Sequence, residues 1–367
     1  MKSLLITHSH RWNGETEYAA GVIKAEVEMG MDVTVAAPRE STLARTLPDS
    51  VRLLELPGKK PSRSPVDFIR DLAWLSGLIK TGGFDILHAS RATGHLLIAL
   101  ANRKRVPLLH LRGGAKKPYG HPFNRLLYRW LTDRVIVSSS RVEEWITHGL
   151  NFPPDRVHRI LAPVDVREFR PAVPDPTLRA ELGIADNTEL IVKVARLAPV
   201  KGHDFLLEAM AAVHREFPLT VLVLVGNPWG GQPGRLMERA RELGIGDAVI
   251  FTGRRDDIHR FLSIASVCVS SSIGSEENSR AVGEYMACGR PVVATSVGVI
   301  PELVAKGETG ILVPPRDPAA LAGALLTILR SPERGLRMGE EGRKRAVEEF
   351  SREAFGRRIS RIIFSLK

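Results

Sequence analysis

The chain has 367 residues, 44% hydrophobic and 25% charged, with a formal net charge of +11, values that suit a globular protein of two domains. Its longest apolar runs, such as TVLVLVG, are strand-sized, and MKSLLITHSH is too short for a secretory h-region, so neither a membrane span nor a signal peptide is expected. The two cysteines, Cys268 and Cys288, sit in apolar surroundings; they read as reduced core thiols of a cytoplasmic protein, which excludes a disulfide scaffold or a thiolate metal site.

In chain order, short β-branched runs alternate with amphipathic stretches, the pattern of a parallel sheet with helices on both faces. SLLITH, DVTVAA, FDILHAS, VPLLHLR, RVIVSSS and RVHRILA predict six strands of a first domain over residues 1–168. LIVKVAR, TVLVLVG, AVIFTG, SVCVSSS, RPVVATS and GILVPP predict six more in a second domain over 169–350. The Pro-rich stretch around 165–180 is the expected linker. The segment 351–367 predicts a last helix, with Ser351 as its N-cap, that could belong to either domain. The fold class is therefore α/β, two Rossmann-like doubly wound domains. Such sheets take ligands outside the carboxyl ends of their strands, so a central cleft faced by both domains is the expected site.

Charge is unevenly spread. Between Asp85 and Asp133 there is no carboxylate, while Arg91, Arg103, Lys104, Arg105, Arg112, Lys116, Lys117, Arg125 and Arg129 all fall there. A one-sided basic surface suits nucleic acid, an anionic membrane leaflet or an anionic substrate. Residues 116–130 interleave those cations with Tyr119, Phe123, Leu127 and Trp130. This makes residues 103–130 a candidate membrane or acceptor surface, against the alternative that Leu126, Leu127 and Trp130 face the core.

The strand-end rule selects the site residues. Arg196 ends a strand and Lys201 lies five residues on, before a helix; a guanidinium fork and an ammonium at such a turn can grip a pyrophosphate, with Gly202 letting the backbone pass close. Gly226 and Gly253 end two further strands, the second followed by Arg254. Glu276 and Glu284 follow SVCVSSS, with Arg280 between them and Asn278 or Ser279 placed to cap the next helix. Two carboxylates across that junction suit hydroxyl groups of a sugar or ribose, where ordinary first-turn acid preference is the alternative.

Taken together, Arg196-x4-Lys201, Gly226, Phe251-Thr-Gly253 and Glu276-x7-Glu284 followed by MACGRPVVAT resemble the retaining glycosyltransferases of family 4, of the GT-B fold, over almost the whole chain. The first domain matches more loosely: RWNGETEY resembles the family's glycine loop at Asn13-Gly14, and FDILHAS its Asp-x-x-His strand. LAPVDVREFRP resembles the inter-domain stretch, and the terminal segment the helix that crosses back onto the first domain. The resemblance implies that Glu284 binds ribose hydroxyls, Glu276 touches the donor sugar, and Arg196 and Lys201 hold the diphosphate. Departure of the nucleotide would then be met electrostatically, without a metal or cofactor; no Asp-x-Asp occurs. Gly14, Gly226, Gly253, Arg254, Asn278, Ser279 and Arg280 are assigned to the donor, which is UDP-, GDP- or ADP-linked. Asn13, His88, Arg91 and Arg112 are assigned to the acceptor or sugar side.

Two departures qualify the match. Glu276-Glu277-Asn278-Ser279-Arg280 replaces the family's Glu-Gly-Phe-Gly, and His110-Leu111-Arg112-Gly113 puts Arg112 where a sugar-contacting histidine is expected. With the WNGE-like segment near the start, this LRG-like segment resembles a variant found among enzymes that build bacterial lipopolysaccharide and other envelope glycans. His88 and His110 read as structural groups, not as catalytic acids or bases. The expected function is sugar transfer to a glycan or lipid-linked acceptor at the inner face of the cytoplasmic membrane. The alternatives are a sugar-nucleotide epimerase of the same fold, or a basic nucleic-acid binder, for which no recognised module occurs.

Overall fold

The computed structural model describes residues 1–10, 13–58, 64–114, 117–118, 120–274 and 276–366. Internal contacts divide it into two units, Met1–Pro163 with Arg352–Lys367, and Val164–Ser351.

The first domain runs β1 (Lys2–Ile6), α1 (Gly14–Glu28), β2 (Asp32–Ala37), β3 (Arg52–Glu55), α2 (Pro65–Gly82), β4 (Ile86–Ser90), α3 (Ala92–Asn102), β5 (Leu108–Arg112), α4 (Pro122–Leu131), β6 (Arg134–Val137), α5 (Ser140–Glu144) and β7 (Val157–Arg159). The strands form one sheet in the order β3-β2-β1-β4-β5-β6-β7, parallel throughout. Strands β4 and β5 are buried at every residue, as expected of strands covered on both faces. Sequence reading found six of these seven strands. It missed β3, a four-residue edge strand whose residues are half-buried or exposed, because such a strand needs no continuous apolar run.

The second domain runs α6 (Pro176–Glu181), β8 (Glu189–Val194), α7 (His203–Glu216), β9 (Thr220–Val225), α8 (Gln232–Glu242), β10 (Val249–Gly253), α9 (Ile258–Ser263), β11 (Val267–Ser270), α10 (Arg280–Ala287), β12 (Val292–Thr295), α11 (Ile300–Leu303), β13 (Gly310–Val313), α12 (Pro318–Leu329) and α13 (Pro332–Glu349). Its parallel sheet has the order β10-β9-β8-β11-β12-β13. Leu206, Met210, Leu325 and Ile328 cover it in one apolar core with Ile191, Leu222 and Val269.

Both ends of the second domain are pinned by hydrogen bonds. Arg343 on α13 donates to the carbonyls of Phe169 (3.0 Å), Ala287 (2.8 Å) and Val166 (3.1 Å). Val164 N donates to the carbonyl of Phe350 at 2.8 Å. These bonds hold residues 164–169 to the second domain, so the division falls at Pro163 where sequence reading placed it at residue 168. The stretch read as a linker contains α6, anchored by an Asp175–Arg260 ion pair of 2.7 Å.

The last helix, α14 (Arg352–Phe364), returns to the first domain. Phe355, Ile359, Ile362 and Ile363 join the core formed by Tyr18, Val22 and Ile23. The Tyr18 and Phe355 rings meet edge-on at 5.5 Å, a favoured aromatic geometry.

Strand order reverses at one place in each sheet. In the first, β2 and β4 flank β1; in the second, β9 and β11 flank β8. The carboxyl ends of these neighbours diverge into loops on opposite faces, which opens a crevice for ligand there.

Candidate functional site

In the second domain the switch point lies between β8 and β11, the strands that deliver the two loops singled out by sequence. Beyond β8, Arg196 is exposed and Lys201 closes a short turn at Gly202 (φ +62°). Only glycine adopts that backbone freely, and a Cβ there would also strike the Ser271 carbonyl. The Arg196 guanidinium lies 5.0 Å from the ring centroid of Trp229, a cation–π contact supplied by the loop after β9. Beyond β11, Glu276 is buried at 7% exposure and Glu284, in α10, at 4%.

One ion pair joins the two loops and a second lies within α10. Lys201 Nζ pairs with Glu276 Oε1 across the two loops, and Arg280 Nε pairs with Glu284 Oε1 one turn along α10. Ser272 Oγ donates to the same Glu276 oxygen at 2.5 Å. Thr295 Oγ1 holds the loop from below by donating to the Ser272 carbonyl at 2.6 Å. The Val194 amide donates to the buried Tyr285 hydroxyl at 2.6 Å, which fixes the end of β8 against α10. Burial pushes that phenol well above its ordinary pKa, so it stays neutral.

The glycines play distinct parts. Gly226 N donates to the Gly253 carbonyl at 2.9 Å, joining the ends of β9 and β10, and any side chain at Gly226 would run into the Ala195 carbonyl. Arg254 points to solvent with Asp256, 3.1 Å away, so its charge is spent outside the cluster. Ser279 holds the N-cap position of α10 with a left-handed backbone (φ +36°) and makes no side-chain cap bond; capping by its hydroxyl is thus corrected. Asn278 stands just before it.

The first domain gathers a second polar edge at β1 and β4. Ser9 Oγ accepts from Thr16 Oγ1 (2.9 Å), Asn13 Nδ2 (3.3 Å) and Arg91 Nη1 (3.3 Å). Asn13 caps α1 by accepting from the Thr16 amide at 3.1 Å, which makes Gly14 the first helical residue. Arg91 has φ +72° and ψ +154° at the start of α3 and lies 3.8 Å from Glu15. For a non-glycine residue that backbone costs of order 1–3 kcal/mol, a strain that concentrates at functional sites.

His88 is not at this edge. It is fully buried in the middle of β4, 2.5 Å from Glu26 Oε1, and Glu26 also accepts from Ser3 Oγ at 2.8 Å. It is a core partner of α1, and its assignment to the acceptor side is corrected. His110 is equally buried and stacks on His95 at 3.9 Å. Burial, with Arg112 nearby, drives His110 well below its ordinary pKa and His95 down to about 3, so both rings are neutral. Arg112 itself ends β5, buried.

Helix α4 shows which of the residues expected to face the core do so. Leu127 and Tyr128 face the core, whereas Phe123, Leu126 and Trp130 are 49%, 56% and 62% exposed, with Arg125 and Arg129 exposed beside them. Lys116 and Tyr119, also named for this surface, lie outside the described residues. Among the described residues no helix is long and apolar enough to cross a membrane, and no group of three or more His, Cys, Asp or Glu could hold a metal ion.

Sequence reading missed Lys193, Ser271, Ser272, Tyr285 and Trp229. Only Lys193 left a signal there, as a lone charge inside an apolar strand.

Comparison with known proteins agrees with this architecture. A family model described as "Glycosyl transferases group 1" matches residues 174–345, and one described as "Glycosyl transferase 4-like domain" matches residues 13–162. The D-inositol 3-phosphate glycosyltransferase of Frankia alni is 34% identical over 68% of this chain and 67% of its own. The Streptomyces bingchenggensis protein of that name is 29% identical over 71% and 62%, so the match spans about two thirds of the length of these relatives. Among solved structures, Anabaena HepE in complex with UDP superposes with a TM-score of 0.84 at 21% identity, over all of both chains. A glycosyltransferase from Rickettsia africae gives 0.87 at 21%, over 100% of this chain and 98% of its own. The chain has the GT-B fold of two Rossmann-like domains and belongs to the group 1 glycosyltransferases.

Proposed function

We propose that the chain transfers a sugar from a nucleoside-diphosphate sugar to a hydroxyl of an anionic or lipid-linked acceptor, with retention at the anomeric carbon, in synthesis of an envelope glycan such as lipopolysaccharide. The observation that carries this reading is the Lys201–Glu276 ion pair, which joins the loops after β8 and β11 at the switch point of one sheet, with Arg196 on the first loop and Glu284 in the helix after the second. In that arrangement Glu284 accepts from the ribose diol and Glu276 from the donor sugar. Arg196 and Lys201 face the diphosphate, so charge developing on the departing nucleotide meets cations already in place. No metal or cofactor has a role. The bond from the anomeric carbon to the diphosphate oxygen breaks while the acceptor oxygen bonds that carbon on the same face, and the acceptor's hydroxyl proton passes to the leaving phosphate.

The acceptor side rests on the first domain. Its strained Arg91, the neighbouring Asn13 and Ser9, and Arg112 suit an acceptor with anionic or hydroxylated groups, in keeping with the inositol phosphate in the name of the Frankia relative. The exposed apolar stripe of α4 with Arg125 and Arg129 suits an acceptor presented at an anionic cytoplasmic leaflet, where each cation near the surface contributes about 1 kcal/mol.

The test is calorimetric titration of wild type and Glu284→Gln with UDP, GDP, ADP and CMP. One nucleotide should bind, and the variant should lose roughly ten- to hundredfold in affinity, since a charged acceptor facing the diol is removed. Binding by none of the four would end the nucleotide-sugar reading. Equal affinity in the variant would remove Glu284 from the ribose.

A further inference from the structure

Beneath the two site loops lies Lys193, the fifth residue of β8, 1% exposed in a strand otherwise apolar along its buried length. A buried ammonium costs several kcal/mol unless its protons are well placed. Here they are: Nζ donates to the Lys201 carbonyl at 3.0 Å and to Ser271 Oγ at 2.9 Å. Ser271 Oγ passes the bond on to the Gly202 carbonyl at 2.9 Å. A backbone bond from Ile273 N to the Val200 carbonyl, 2.9 Å, runs alongside. One side chain thus joins the turn that carries Lys201 to the loop that carries Glu276.

Resting on the nucleotide-sugar reading above, we infer that Lys193 is a positioning residue for the donor diphosphate, holding the Lys201 turn and the Glu276 loop in register and placing a second cation behind Lys201. The groups facing it are Lys201 and His203 from the turn and α7, and Ser271 and Glu276 from the loop after β11. His203 is neutral, because burial and then the two lysines press its pKa down to about 2. Burial first and Lys201 second lower Lys193 to about 7, with Glu276 opposing them. Its charge therefore responds to what arrives next to Lys201. An anionic diphosphate favours the ammonium, so above neutral pH nucleotide binding draws a proton from solvent.

The experiment titrates the full chain with UDP, GDP and ADP at about pH 8, one unit above the Lys193 midpoint, in two buffers of different ionisation enthalpy. Wild type should take up a fraction of a proton per nucleotide bound. Lys193→Met, which keeps the volume without the charge, should take up none and bind about tenfold more weakly, ~1.4 kcal/mol. Ser271→Ala retains the charge but loses the tie; it should keep the uptake and bind about threefold more weakly. If wild type takes up no proton, or Lys193→Met matches it in uptake and affinity, the inference fails while the nucleotide-sugar reading stands. If none of the three nucleotides binds wild type, both fall.

Discussion

Lys201 and Glu276 are 75 positions apart in sequence yet form one ion pair, with side chains only 19% and 8% exposed. So enclosed a carboxylate depends on its partner: removing the ammonium alone leaves a desolvated charge, whereas removing both leaves neutral groups. Lys201→Met should therefore lower the stability of the second domain by about 1–3 kcal/mol, and Lys201→Met with Glu276→Gln by less than the sum of the single losses. Urea denaturation of the four proteins measures this, and additive losses would show that the pair is not coupled. Arg196, Lys201, Glu276 and Glu284 were legible in sequence because each follows an apolar run read as a strand. Lys193 and His88 were not, since both stand within strands, where depth depends on the helices that cover the sheet. A lysine in LIVKVAR is equally compatible with an edge strand and a solvated side chain.

At the scale of elements, α4 presents Phe123, Leu126 and Trp130 at i, i+3 and i+7, one stripe of a helix surface, all exposed. Exposed positions contribute little to folding, so Leu126→Ser with Trp130→Ser should leave the thermal midpoint nearly unchanged. The same variant should lose several-fold in retention on phosphatidylglycerol vesicles at low salt. If wild type is not retained, or the double variant is retained equally, α4 is not a membrane surface. Sequence showed cations interleaved with apolar residues here but not which of Leu126 and Leu127 turns inward. That was settled by the strand against which Tyr128 packs, together with Val135, Val137 and Phe152. Strand β3 escaped for the opposite reason, because an edge strand carries its pairing in backbone bonds and leaves little apolar pattern.

For the whole molecule, the return of α14 makes the first domain discontinuous in sequence. Phe355, Ile359, Ile362 and Ile363 are each at most 7% exposed, and burial of such side chains stabilises by ~1.5–3 kcal/mol apiece, which together approaches the stability of a domain. Truncation before Arg352 should abolish the calorimetric transition of the first domain and leave that of the second in place. A truncated chain with both transitions intact would show that α14 is dispensable.

By itself the sequence determined two doubly wound α/β domains and the loops that hold the candidate site residues, because strand-length apolar runs and the glycines and charges that end them are local features. Apart from the family resemblance, which implied the first domain, it left α14 open between the two domains; it placed the domain division within a few residues and set His88 at the wrong depth. Those were decided by tertiary structure, because they depend on which surfaces meet. An amphipathic helix such as α14 fits any complementary apolar face, and only the core around Tyr18, Val22 and Ile23 selects one.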